Sequence, residues 1–271
     1  MSSQVDVKRQ VRRVLGPAQL DESHIAHAAL GPRRGVMLDI GAHHGSSLAP
    51  FADDGWEIHA FEPDPANRAR LHAAFGGRPN VTIVPAAVSD EAGEMALYTS
   101  ELSTGVSSLA AFTPDHSPTT RVPVVTLGEY LAGAGITAVD FMKIDVEGFE
   151  RNVLSGHDWS VRPELIVLEF EDAKTVPLGY SWNDLAADLA ARGYEILVSE
   201  WFPVQQYGVA HRWRRLARYP TDLADPGAWG NLIAAADLEH VLPAARRAIG
   251  RYRLRRRIER VVRPGRMTTA G

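Results

Sequence analysis

"VMLDIGAHHGSS", residues 36–47, is the stretch on which the reading of this chain turns. An apolar run interrupted only by Asp39 leads into a turn where Gly41 and Gly45 bracket Ala42, His43 and His44. Glycine lets a backbone turn tightly and lets a ligand approach where a Cβ would stand. A glycine turn between a strand and a helix commonly holds a nucleotide-like ligand. The spacing is G-x-x-x-G, not the G-x-G-x-x-G that suits a pyrophosphate. Taken alone, the turn is equally an ordinary strand-to-helix connection.

A second stretch narrows the choice. "IHAFEPDP" puts Glu62 at the end of the next expected strand, 23 residues after Asp39. A carboxylate there accepts hydrogen bonds from both ribose hydroxyls of an adenosine. A glycine turn and an acid on adjacent strand ends form a mononucleotide half-site, shared by nicotinamide enzymes and S-adenosylmethionine (SAM) methyltransferases. The third stretch, "VDFMKIDVEGFERNVLSG" (139–156), separates those two. It is an apolar strand carrying Lys143, ending in Asp145 and followed by Glu147 and Gly148. Strand alternation places Phe141, Lys143 and Asp145 on one face. A lysine in a buried strand needs a partner, which Asp145 or a carboxylate on the next strand supplies.

The 271 residues fit one large domain or one domain with attachments. There is no cysteine, so disulfides, thiolate metal sites and a cysteine nucleophile are excluded. No run of about 18 apolar residues suggests a membrane-spanning helix, and "MSSQVDVKRQVRRVLG" lacks the apolar run of a signal peptide. A cytoplasmic or membrane-peripheral location is expected. Residues 246–266 hold ten arginines and one acid, a net +9 against −4 for the whole chain, which leaves −13 on the rest. The body is acidic and the tail basic.

Expected strands are Val36–Ile40, Glu57–Phe61, Val81–Val84, Val139–Asp145, Glu164–Phe170, Tyr194–Ser199 and Asn231–Ala235, with an extra one over Glu94–Thr99. Expected helices are 5–30, Pro65–Phe75, Leu127–Ala132, Glu147–Leu154 and Trp182–Arg192. Such alternation argues for a parallel sheet with helices on both faces, whose site residues gather at the strands' carboxyl ends. A Ser/Thr-rich stretch over 93–126 and an aromatic-rich one over 200–230 interrupt the pattern. Loops of that length read as lids or binding loops.

Several stretches together resemble the FkbM family of SAM-dependent methyltransferases: "LDIGAHHG", "FEPDP", "AAVSDEAGEMALY", "SSL", "VVTLGEYL", "FMKIDVEGFERNVLSG" and "PELIVLEF". They stand in the family's order and span about 36–199. The family usually has Asn where this chain has His43. The resemblance implies a Rossmann-like class I methyltransferase fold: a seven-stranded, mostly parallel sheet whose last strand is antiparallel and lies between the fifth and sixth. It implies an N-terminal helical segment (1–35), a methyltransferase domain (36–242) with the 200–230 insertion, and a basic tail (243–271). It also implies SAM as cofactor, with Asp39, Gly41, Ala42, His43 and Gly45 at the methionine part. Glu62 would take the ribose, Ala87 and Val88 the adenine region, and Asp145 and Glu147 the methyl-transfer edge.

Methyl transfer to an alcohol needs alignment and a base or a metal to take the proton. Asp145, Glu169 and His44 are the expected catalytic groups. Asp145 with Glu169 suits Mg²⁺ or, preferably, a salt bridge to Lys143. Hydroxyls of sugars and natural products are the family's acceptors. The expected acceptor is a saccharide, glycolipid or glycosylated metabolite, with Ser107, Ser108, Trp201, Tyr207, His211 and Trp213 as its contacts. A polyketide-type acceptor and a non-catalytic SAM-binding protein are the alternatives. The basic tail suits an anionic membrane surface or the acidic body of a second subunit. It holds a single aromatic, Tyr252, and no platform for stacking bases, so no nucleic acid is expected.

Overall fold

An N-cap begins the first helix. Asp21 accepts hydrogen bonds from the backbone N–H of Ser23 and His24 and starts α1 (Glu22–Leu30), satisfying donors that a helix N-terminus leaves over. The computed structural model describes residues 19–99, 107–112, 116–206, 209 and 211–262. Of the helix expected over 5–30, residues 5–18 lie outside the described residues, and the described part starts only at Glu22.

Alternation then runs as expected. β1 (Val36–Ile40) is followed by a short α2 (Ala49–Asp53), β2 (Glu57–Phe61), α3 (Pro65–Phe75) and β3 (Val81–Val84). Asp64 caps α3, and Pro65 occupies its first turn, where a missing N–H costs nothing. A small side sheet follows, made of β4 (Ala87–Val88), β5 (Gly93–Thr99) and β6 (Ser117–Val125), with β6 in the middle. Then come α4 (Leu127–Ala134), β7 (Phe141–Ile144), α5 (Glu150–Ser155), β8 (Leu165–Glu171), α6 (Asp172–Thr175), α7 (Trp182–Ala191) and β9 (Glu195–Trp201). The last elements are β10 (Trp213–Arg218), β11 (Trp229–Ala235) and α8 (Leu242–Val262).

The main sheet has the order β10-β9-β11-β8-β7-β1-β2-β3. β11 lies antiparallel between β8 and β9, where the resemblance put the last strand. The expected count of seven is corrected to eight. Part of the 200–230 stretch is not a loop but β10, which pairs antiparallel with β9 from Trp213 opposite Trp201 to Arg218 opposite Leu197. Three arginines in "WRRLAR" hid the strand. β6 was hidden too, because Pro118 and Pro123 each remove a ladder donor.

Two apolar layers sandwich the sheet, because successive strand residues point to opposite faces. Met37 and Phe141 join Phe51, Trp56, Leu71, Ile233 and Ala245 on the face covered by α1, α2, α3 and α8. Leu38 and Met142 join Leu131, Val153, Leu168 and Leu185 on the face covered by α4, α5 and α7. Helix α8 starts inside the first layer: Ala244 and Ala245 are buried, and the Tyr252 hydroxyl accepts from the Trp213 backbone N–H at 3.3 Å. No described helix is long and apolar enough to cross a membrane.

Candidate active site

The carboxyl ends of β1, β2, β7 and β8 meet on one rim, and the glycine turn lies at its centre. Its glycines are demanded by the protein's own packing. Gly41 has φ +83°, and a Cβ there would stand 1.8 Å from the carbonyl oxygen of Asp145. Gly45 has φ +82°, and its Cβ would strike the Phe75 ring at 2.4 Å. Gly45 does not line the cavity described next. His43 has φ +49°. Asn and His are among the residues that tolerate this left-handed region, so His can stand where the family usually has Asn. The turn does not run straight into a helix, since α2 starts only at Ala49.

A cavity of about 520 Å³ opens above this turn, within the usual range for small-molecule sites. Gly41, Ala42 and His43 form one wall, and Glu62, Ala87 and Val88 another. Ser107, Ser108, Asp145 and Glu147 also face it. Glu62 is fixed by two backbone donors: His43 N–H gives to one oxygen at 2.7 Å and Asp64 N–H to the other at 2.9 Å. Each oxygen keeps a second lone pair. Burial pushes the Glu62 carboxyl up to about 7. Burial, then the neighbouring His44, pushes His43 down to about 4.

Lys143 finds the partner that a buried lysine requires, and finds more than one. Its Nζ lies 3.2 Å from Asp145, 3.6 Å from Asp39 and 3.2 Å from the Gly41 carbonyl. Parallel pairing of β1 with β7 sets Asp39 opposite Lys143. Asp39 is wholly buried, does not line the cavity and stands as a counter-ion to Lys143. Burial pushes it up to about 6. Burial works against the charge on Asp145 too, but Lys143 and Lys174 hold that carboxyl below its ordinary value.

The loop after β7 is locked in an uncommon shape. Glu147 is a non-glycine residue at φ +57°. The Glu150 carboxylate accepts from Val146 N–H at 3.2 Å and Gly148 N–H at 3.1 Å. The Tyr180 hydroxyl donates to the Gly148 carbonyl at 2.7 Å, and the Ser108 hydroxyl to the Glu147 carbonyl at 2.7 Å. Strained backbone persists where its surroundings over-determine it.

A second cavity of about 310 Å³ adjoins the first and shares Gln19, Ser47, Lys143, Asp145 and His211 with it. Glu22, Glu169, Trp201, Trp229 and Asn231 also line it. Glu22 anchors α1 here: it accepts from the Ser199 hydroxyl at 2.5 Å and from the Trp201 indole at 3.0 Å. Burial pushes Glu22 up to about 7. Burial lowers His211 below the ordinary imidazole value, and its ring stands edge-on to Trp229 at 5.0 Å.

Besides Asp39 and Gly45, two expected site residues lie outside both cavities. His44 lines neither cavity: its Nε2 is 3.2 Å from the Asn67 side chain and 3.3 Å from Arg70, and its ring stacks on His43. The histidine facing both cavities is His211. Trp213 is buried in the core, with its indole N–H on the Ser199 hydroxyl, because its strand joins the sheet. Trp201 is also largely buried but reaches the second cavity. Tyr207 lies outside the described residues. Sequence reasoning missed Gln19, Glu22 and Lys174, and it placed Trp229 in the aromatic-rich stretch without making it a contact. Only Lys174 left a signal, the "EFEDAK" spacing of acids before a lysine.

A mostly parallel sheet with a reversed strand, β11, inserted between two parallel ones, a glycine turn under a cavity and an acid on the second strand define a class I methyltransferase. Residues 39–196 match the family model described as the methyltransferase FkbM domain. The chain is 32% identical over 214 residues to the 31-O-demethyl-FK506 methyltransferase FkbM of Streptomyces tacrolimicus, over 66% of this chain and 80% of that one. It therefore belongs to the FkbM family of SAM-dependent methyltransferases. Among solved structures it is similar to a methyltransferase FkbM from Methylobacillus flagellatus, at 15% identity and a TM-score of 0.46, over 74% of this chain and 43% of that one. It is also similar to a 1,6-didemethyltoxoflavin-N1-methyltransferase of Burkholderia thailandensis with bound S-adenosylhomocysteine, at 19% identity and a TM-score of 0.40, over 87% of each.

Proposed function

We propose that the chain transfers a methyl group from SAM to a hydroxyl of a saccharide, glycolipid or glycosylated metabolite. The second cavity carries this reading. Trp201 and Trp229, with ring centroids 5.4 Å apart, give an apolar wall suited to the CH face of a sugar ring. Glu169, Asn231 and His211 give hydrogen-bonding groups suited to its hydroxyls. The cavity meets the first at Asp145, so a hydroxyl there would lie beside the methyl donor.

SAM, when bound, supplies an electrophilic methyl on a sulfonium. In this reading Glu62 holds the ribose, and the Gly41–His43 backbone lies under the methionine part. His211 takes the hydroxyl proton. Its lowered pKa keeps it neutral, hence able to accept, at physiological pH. His211→Ala should therefore cut turnover by about 10²–10⁴, the usual contribution of a general base, with SAM affinity unchanged. The acid limb of kcat, read at saturating SAM so that the Glu62 titration drops out, should fall below about 6.5, the free imidazole value. A limb at or above that value would remove His211 from the mechanism.

The direct test is methyl-labelled SAM with a panel of sugars, glycolipids and non-sugar natural products. Label in a sugar hydroxyl supports the proposal. Label only in a non-sugar acceptor supports a second reading, favoured by the name of the S. tacrolimicus relative, in which the acceptor is a natural product of that kind.

The basic helix suits an anionic membrane surface, which would bring the enzyme to a lipid-linked acceptor. Arg246, Arg247, Arg251, Arg253 and Arg257 are exposed beside exposed Leu254. Because α8 begins in the core, charge reversal tests this better than deletion. Arg253→Glu with Arg257→Glu should weaken partition into phosphatidylserine vesicles by about thirtyfold or more, at about 1 kcal/mol per basic residue near the surface. Unchanged partition would sink the idea.

A further inference from the structure

Five carboxylates surround Lys143 and Lys174 near the junction of the two cavities: Asp39, Asp145, Glu147, Glu169 and Glu171. Oxygens of Asp145, Glu147 and Glu169 lie within 4.8 Å of one another, close enough to share a single cation. Lys143 serves the Asp39–Asp145 side. The opposite side is served by Lys174, which comes from α6 immediately after β8. Its side chain is 4% exposed, and its Nζ contacts Glu147, lies 2.6 Å from Glu171 and 3.4 Å from Glu169. The Phe112 ring covers it at 5.4 Å.

We propose that Lys174 is the resident cation of this cluster: its ammonium stands where a divalent ion would otherwise bridge Glu147 and Glu169, and so the site works without one. An ammonium offers three N–H donors, matching the three carboxylates around it. It is tethered by the chain, so it cannot be chelated away or exchanged. A Mg²⁺ ion needs oxygens at about 2.0–2.1 Å in near-octahedral array. It would have to displace Lys174 from a buried pocket, because two cations cannot share these oxygens without strong repulsion. Lys174 acts as a positioning residue. By holding Glu147 and Glu169 it shapes the floor of both cavities without touching an acceptor. This inference is independent of the acceptor's identity.

Titration with Mn²⁺, followed by calorimetry and by the paramagnetic signal of the free ion, tests it on the full chain. The wild-type protein should bind no stoichiometric Mn²⁺ up to 1 mM (about 10⁻³ M, the weak end of protein sites for such hard cations). EDTA should leave its SAM affinity unchanged. Lys174→Met should gain one Mn²⁺ site at least tenfold tighter than any wild-type binding, and Glu169→Gln added to it should remove that site. One equivalent of Mn²⁺ on the wild type, lost on Glu169→Gln, would overturn the proposal. So would a folded Lys174→Met that binds none. If Lys174→Met does not fold, Lys174→Gln replaces it, and the wild-type titration still decides against or for a metal in the native site.

Discussion

Glu62→Ala should weaken SAM binding by at least tenfold, or about 1.4 kcal/mol, while circular dichroism and the thermal transition show the fold retained. The two lone pairs left on the Glu62 carboxylate face the cavity, and hydrogen bonds to a charged acceptor are worth about 1.5–3 kcal/mol each. The variant also strips the acceptor from His43 N–H and Asp64 N–H, which loosens the turn. Glu62→Gln, with one carbonyl acceptor left, should fall between. Because burial raises this carboxyl to about 7 in the free protein, the wild-type site is increasingly protonated below that pH. A protonated carboxyl is the poorer acceptor, so SAM affinity should decline as pH falls through about 7. Calorimetric titration from pH 8 to 6 measures both effects. Undiminished affinity in Glu62→Ala would refute the ribose assignment.

Gly41→Ala should destabilise the fold by about 2–5 kcal/mol. About 1–2 comes from forcing a side chain into the left-handed region and about 1–3 from overpacking. The Cβ would lie 1.8 Å from the Asp145 carbonyl oxygen, and a backbone atom cannot swing aside. Against a typical total of about 5–15 kcal/mol, that loss is large. Gly230→Ala separates the two contributions. Its Cβ would meet the Ser199 carbonyl at 1.9 Å, but its φ lies outside the left-handed region, so only the clash operates. Urea midpoints at constant m value should place Gly41→Ala below Gly230→Ala. A Gly41→Ala midpoint equal to wild type would show that the strand ends can part.

What the sequence made legible follows from how local each signal is. The β1, β2 and β3 segments and α3 stand at their expected bounds, because each is an apolar run or a capped helix written in adjacent residues. Lys143 announced its need for a partner through strand alternation. That Asp39 would meet it depended on the parallel register of β1 and β7, which no local pattern carries. The groups that complete the site come from far along the chain. Glu22 and Gln19 arrive from the N-terminal side, and Lys174 from 27 residues beyond Glu147. His211, 166 residues beyond Gly45, faces both cavities, whereas His44, inside the signature turn, points away towards α3. The glycines of that turn were noticed for the right reason, close approach. The approaching atoms belong to Asp145 and Phe75.

Among the described residues, the eighth strand forms an open edge of the main sheet. A terminal strand presents unpaired N–H and C=O groups on which another chain can pair, and charged side chains are a common defence. β10 supplies them: Arg214, Arg215 and Arg218 occupy three of its six positions, with Arg215 and Arg218 held by Glu200 and Glu195. Those arginines that disguised the strand also guard it against aggregation. Their value would show in the solubility of the purified protein more than in its affinity for any ligand.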